Sequence, residues 1–166
     1  MSDGKLRFRR ARRQDVPAIV RLLASDPLGA TRETSGTGAL PEAYWQAFEA
    51  VDADPRQFLV VAELDGRVVG TLQLTFIPSL TYRGGERAQV EAVRVDAGSR
   101  DRGLGRAMVG WAIEQARARG CRLAQLTTDL RRPDALRFYQ SLGFRATHAG
   151  MKLPLSEAPS RSGSKP

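Results

Sequence analysis

The sequence is short of the residues on which several chemistries depend. It holds one cysteine, Cys121, and one histidine, His148, among 166 residues. No internal disulfide can form, and a Cys/His zinc centre, which needs three or four ligands, is excluded by count. Serine or cysteine nucleophilic catalysis would have to run through His148 alone. That residue sits near the C-terminal end, where a partly exposed strand position is the simpler reading. Cys121 begins a buried strand and requires no reactivity. Long apolar runs are also missing: the longest cover a few residues, as at 59–62, against the roughly 20 needed to cross a bilayer. The start, MSDGKLRFRR, lacks the apolar centre of a signal peptide, so a cytoplasmic protein with no membrane partner is expected. Acidic residues are the minority sign, 18 against 26 Lys and Arg, for a net charge of +8. Such a balance suits anionic partners. The arginines are spread through the chain rather than gathered in a tail, so nucleic acid is not expected as the partner.

What is present suits one folded domain, with 42% hydrophobic residues. Residues 1–153 are read as that domain and 154–166 as a disordered tail. Residues 6–11 alternate apolar and basic, as a half-buried strand does. A helix opens at Gln14 or Asp15 and carries Ala18, Ile19, Leu22 and Leu23 at helical spacing. The Gly-, Ser-, Thr- and Pro-rich stretch 25–38 reads as a loop. Pro41 then starts a second helix, whose Tyr44, Trp45 and Phe48 read as core. Strands at 58–64 and 67–76 flank the Asp65-Gly66 turn as a hairpin. A turn over 78–87 leads to a strand at 88–95. Met108, Val109, Trp111, Ala112, Ile113 and Ala116 describe a helix that Gly120 ends. A strand over 121–127, a helix from Pro133 to Leu142 closed by Gly143, and a last strand over 144–153 follow. The order β-α-α-β-β-β-α-β-α-β joins an antiparallel half to a right-handed parallel crossover. It predicts a mixed α/β sheet rather than a doubly wound nucleotide fold.

The densest signal is RDRGLGRAM, residues 100–108, between the strand ending at Val95 and the next helix. A helix N-terminus presents unpaired N–H groups and the positive end of its dipole. Gly103 and Gly105 let a ligand approach the backbone. Arg100, Arg102 and Arg106 add charge, and the whole reads as a phosphate cradle. It is not a Walker loop, because no lysine follows the glycines. It is not the dinucleotide fingerprint either, because Met108 stands where that motif needs its third glycine.

Arg100-x-x-Gly103-x-Gly105 after a strand ending in VRV resembles the acyl-CoA loop, (Q/R)-x-x-G-x-(G/A), of the GNAT superfamily of N-acetyltransferases. Downstream, Ala135-x-x-x-Tyr139-x-x-x-Gly143-Phe144 is similar to that family's second motif. The likeness runs from about residue 5 to 153 and is most specific over 88–144. It implies an acyl-CoA N-acyltransferase fold with a splayed, six- to seven-stranded mixed sheet and helices on both faces. It implies acetyl-CoA as co-substrate and no metal, with the pyrophosphate on the amides of Asp101, Arg102, Gly103, Leu104, Gly105 and Arg106. The pantetheine arm would pair with Val93, Arg94 and Val95.

Tyr139 matches the family's tyrosine near the sulfur, a general acid for the leaving thiolate. Glu91 is the candidate base for the incoming ammonium. Alternation would put residues 91, 93 and 95 on one face, and a carboxylate in an otherwise apolar strand is costly unless paired or used. Arg132 stands where relatives often carry an asparagine that contacts the cofactor, and it could reach a phosphate or an acidic substrate instead. The stretch 131–135 resembles a branch that includes small-amine and aminoalkylphosphonate acetyltransferases, which leans toward a small, anionic amine. The resulting expectation is acetyl transfer to a primary amine of a small molecule, and the likeness also allows a homodimer. The alternatives are a protein lysine or N-terminal acetyltransferase, and a non-catalytic CoA- or nucleic-acid-binding module. In either enzyme, the 25–38 loop and the 78–87 turn should flank the acceptor channel.

Overall fold

A computed structural model of the protein describes residues 5–34, 38–100 and 102–155. Asp101 and most of the expected tail, 156–166, lie outside the described residues. The chain forms two compact units, Met1–Thr128 and Asp129–Pro166.

The first unit is built on five strands: β1 (Leu6–Arg10), β2 (Gln57–Leu64), β3 (Arg67–Ile77), β4 (Arg87–Val95) and β5 (Leu123–Leu126). They lie in chain order across the sheet. β1 to β4 are antiparallel, and β5 joins β4 in parallel. The β2–β3 turn closes at Asp65 and Gly66, both with positive φ, as a tight hairpin of this twist requires. α1 (Val16–Leu23) follows a single 3-10 turn, with Pro17 in its first turn, where a missing N–H is harmless. α2 (Glu42–Ala53) starts after Pro41. α3 (Thr81–Gly84) is a one-turn element interrupted by Tyr82 and Arg83 at positive φ. α4 (Leu104–Ala118) provides the parallel crossover.

Helices cover both faces of the sheet. On one face Leu104, Met108, Ala112 and Ala116 of α4 pack on Leu72, Leu74, Ala88 and Val90. On the other, Val16, Ile19 and Val20 of α1 and Phe48 of α2 pack around Val61. Full burial of a side chain such as Met108 or Val60 is worth about 1.5–3 kcal/mol. α4 comes close to the sheet because position 70 is glycine: a Cβ there would stand 2.6 Å from Met108 Sδ and 3.1 Å from the Arg94 carbonyl.

The second unit carries α5 (Pro133–Gln140). Its expected last strand does not form, and the sheet therefore has five strands rather than six or seven. A strand needs a neighbour to satisfy its backbone, and no described strand pairs with 144–153. The apolar alternation of that stretch also loses phase at Ala149-Gly150, and Met151 and Leu153 stand exposed. His148 accordingly sits in irregular chain, its Nδ1 2.8 Å from Thr147 Oγ1.

Candidate functional site

β4 pairs with β3 along its length, but with β5 only from Arg87↔Leu123 to Val90↔Leu126. Past Val90 its β5 side has no strand neighbour among the described residues. At the same point β4 bulges. Gln73 faces Glu91 and Thr71 faces Arg94, so Leu72 alone opposes Ala92 and Val93. Ala92 adopts φ 53°, a left-handed conformation that costs an L-residue about 1–2 kcal/mol.

The bulge changes which residues share a face. Ala88 and Val90 lie on the α4 side, and after the extra residue Val93 and Val95 lie there as well. Glu91 falls on the opposite face beside its cross-strand partner Gln73. The expected grouping of 91, 93 and 95 on one face is therefore wrong, because strict alternation ends at Ala92. Glu91 is also exposed, so the cost of burying a carboxylate does not apply to it. The Arg94 guanidinium donates to the Val93 carbonyl at 2.9 Å, and Arg100 Nε leans toward the Val95 carbonyl at 3.4 Å.

The route from β4 to α4 is short and capped. Asp96 accepts the Gly98 N–H at 3.1 Å and holds the 3-10 turn Ala97–Ser99. Gly103, at φ 73°, caps α4 in the left-handed region. The first backbone bond of the helix runs from the Ala107 N–H to the Gly103 carbonyl. The amides of the turn before it have no carbonyl four residues back within the helix. Leu104 anchors the turn by burial, while Arg102, Gly103 and Arg106 face solvent. The structure thus places Arg100 at the end of the 3-10 turn, Arg102 and Gly103 ahead of α4, and Leu104, Gly105 and Arg106 in its first turn, after the stretch Val93–Val95. Asp101, expected in the same cradle, lies outside the described residues.

The face that carries Glu91 and Gln73 also holds an apolar cleft of about 140 Å³ between α1, α2 and the bulge. Ile19 and Leu23 line it from α1, Phe48 and Val51 from α2, and Ala92 from β4. Its polar members have partners in the protein. Thr71 donates to the Val60 carbonyl, Gln73 Nε2 to Gln57 Oε1, and the Tyr44 hydroxyl to Glu33. The chain between α1 and α2 is tied beside it. Asp26 accepts the N–H groups of Leu28 and Gly29 on one oxygen, and its other oxygen lies 3.0 Å from Arg94 Nε. Residues 35–37 of the expected loop lie outside the described residues. Tyr82 and Arg83 line a separate depression with Arg122, so the 78–87 turn does not wall this cleft.

In the second unit, α5 ends in a motif that explains its own sequence pattern. The Phe144 N–H bonds the Tyr139 carbonyl, and the Gly143 N–H bonds the Gln140 carbonyl. Gly143 takes φ 93°. This is a Schellman cap, and its apolar contact is made by Phe144 against Tyr139, ring centroids 6.0 Å apart. Phe138 meets the same ring at 5.1 Å. The spacing Tyr-x-x-x-Gly-Phe is thus what fixes the tyrosine ring. Arg132 is the residue before α5, its carbonyl accepting the Ala135 and Leu136 amides.

Sequence reasoning missed Asp26 and the cleft. Asp26 could have been suspected from its place ahead of Pro27 and Gly29. The cleft could not, since Tyr44 and Phe48 have the spacing of a core stripe and in fact line it. Elsewhere, the Cys121 thiol is pushed up from its ordinary range by burial and by the Glu86 carboxylate, which fits an inert role. Among the described residues no cluster of three or more His, Cys, Asp or Glu could hold a metal ion, and no helix is long and apolar enough to cross a membrane.

The profile of the Acetyltransferase (GNAT) family matches residues 19–144. A crystal structure described as a transcriptional regulator from Bacillus halodurans C-125 is 46% identical, covers 91% of this chain and 100% of its own, and superimposes with a TM-score of 0.87. A glucosamine 6-phosphate N-acetyltransferase from Trypanosoma brucei brucei is 37% identical over 90 residues, 54% of this chain and 59% of that protein. An aminoalkylphosphonate N-acetyltransferase from Salmonella typhimurium is 30% identical over 107 residues, 64% of this chain and 69% of that protein. The chain thus spans less than two thirds of the trypanosomal relative.

Proposed function

We propose, from the premise that this chain belongs to the acetyltransferase (GNAT) family, that it moves the acetyl group of acetyl-CoA to a primary amine of a small molecule. Residues 1–153 act as one catalytic domain. The observation that carries this reading is the opening of β4 after Val90, with its left-handed bulge at Ala92, immediately ahead of the amide-rich start of α4.

The residues present fit the co-substrate. A diphosphate suits exposed amides at a helix start ringed by Arg100, Arg102 and Arg106. An amide-bearing pantetheine arm suits the backbone of Val93, Arg94 and Val95, which lacks a strand neighbour on that side among the described residues. Acetyl-CoA bound there supplies an activated thioester. Glu91, exposed on the α1–α2 face, takes the proton of the incoming ammonium, directly or through water. Tyr139, its ring fixed by the Schellman cap, gives a proton to the departing sulfur. Arg132 adds positive charge for a phosphate group.

The test is release of free thiol from acetyl-CoA by the full chain against a panel of primary amines, with CoA affinity measured separately by titration calorimetry. Amine-dependent release together with CoA binding is the expected result. Absence of CoA binding would remove the site altogether. A second reading, nucleic-acid binding, is favoured by the description of the Bacillus halodurans structure and by the net charge of +8. It requires DNA affinity that falls steeply with salt, with no amine-dependent thiol release.

A further inference from the structure

We propose that the cleft between α1, α2 and the β4 bulge receives the carbon skeleton of the acceptor. The acceptor is then a primary amine with an uncharged apolar body of about one aromatic ring, not a sugar phosphate or an aminophosphonate. The inference rests on the transferase reading and deepens it.

Size comes first. The cleft measures about 140 Å³, close to the roughly 150 Å³ apolar cavity that holds benzene in another protein. Lining comes second. Ile19, Leu23, Phe48, Val51 and Ala92 present hydrocarbon, and among the described residues none that lines it carries a charge. The hydroxyls of Thr71 and Tyr44 and the Gln73 amide N–H already bond protein acceptors. A hydroxyl-rich acceptor would exchange its water for few new hydrogen bonds here. Charge comes third. Glu91 stands on the same face, opposite Gln73, and Gln73 lines the cleft. A carboxylate there attracts an ammonium and repels a phosphate or phosphonate. Of the arginines on this face of β4, Arg94, beside the bulge, is engaged by Asp26 at 3.0 Å, and Arg87 lies at the far end of the strand. An ammonium near Glu91 with an apolar body in the cleft is therefore the complementary ligand. Its nitrogen then sits beside the bulge, where β4 opens toward the cradle.

The experiment uses the full chain, acetyl-CoA and two amine sets: n-alkylamines from propyl to hexyl with 2-phenylethylamine, and 2-aminoethylphosphonate with glucosamine 6-phosphate. The expected result is kcat/KM rising about fourfold per methylene along the alkyl series, as burial of each CH₂ predicts. Ala47, exposed on α2 and lining the cleft, supplies the variant. Ala47→Phe fills the space and should raise KM for 2-phenylethylamine by at least about tenfold, with acetyl-CoA affinity unchanged. A flat alkyl series, or a phosphorylated amine preferred and unaffected by Ala47→Phe, overturns the cleft assignment and leaves the transferase standing. If no amine releases thiol, the transferase reading has failed, and the cleft is judged by calorimetry with 2-phenylethylamine, with and without CoA. Saturable binding lost in Ala47→Phe supports it as an amine site; no binding in either condition overturns it.

Discussion

Tyr139 shows how a family pattern is also a local physical device. Gly143 reverses the chain at φ 93°, Phe144 folds back, and its ring meets the tyrosine. Because the ring contact does not need the hydroxyl, Tyr139→Phe should keep the fold and the affinity for CoA. If the hydroxyl is the general acid, turnover falls by about 10² to 10⁴. Thermal denaturation, CoA titration and thiol release on one preparation separate the outcomes, and unchanged turnover would remove the acid role. Glu91 teaches the opposite lesson. Its identity suggested a base, but its separation from Val93 and Val95 could not be read from alternation, because Ala92 adopts a conformation rare for alanine. Nothing in Val90-Glu91-Ala92-Val93 announces a bulge.

The β4–α4 unit combines close packing with an exposed turn proposed to bind CoA, and the two can be tested apart. At Gly103 a Cβ would meet nothing within 4 Å, and aspartate tolerates the left-handed region better than most residues. Gly103→Asp should therefore fold, but its carboxylate would face the diphosphate and weaken CoA binding by at least about tenfold; calorimetry reads the change. Gly70→Ala acts on packing instead. Its methyl group would press on Met108 Sδ and the Arg94 carbonyl, for a loss of about 1–3 kcal/mol in urea unfolding. Met108 can adjust at its flexible end, which favours the lower part of that range. The turn into α4 was legible in RDRGLGRAM because Gly103 is free to take the left-handed φ that caps the helix. The requirement for glycine at 70 was not, because it is imposed by a residue 38 positions away.

Over the first unit as a whole, an ion cluster ties β1 to the start of α1 and to β2. Arg9 donates to Asp15 at 2.7 Å and to Glu63 at 2.7 Å, and Asp15 also accepts the Arg12 N–H. Burial alone would raise the Asp15 pKa, but the bonds from Arg9 and Arg12 outweigh it and hold the carboxyl below its ordinary value. Arg9 likewise lowers Glu63, and Arg119 lowers Glu86. Each carboxylate binds its proton less tightly in the folded chain than in the unfolded one. Their contribution to stability is therefore complete above the ordinary carboxylate range near pH 4, and is lost as pH falls through the depressed values. Urea unfolding between pH 7 and 3 should show that loss. Asp15→Asn should flatten its slope and cost about 1–3 kcal/mol at pH 7; an unchanged slope would assign the acid sensitivity elsewhere. The sequence by itself determined the hairpin, the glycine turn ahead of α4 and the tyrosine cap, because each is specified by residues within a few positions of one another. Tertiary structure alone decided the bulge that sets Val93 and Val95 on the face opposite Glu91, the Asp26–Arg94 tie, the apolar cleft and the absence of a last strand. Those depend on what distant segments bring into contact, and a linear pattern carries no record of its neighbours in space.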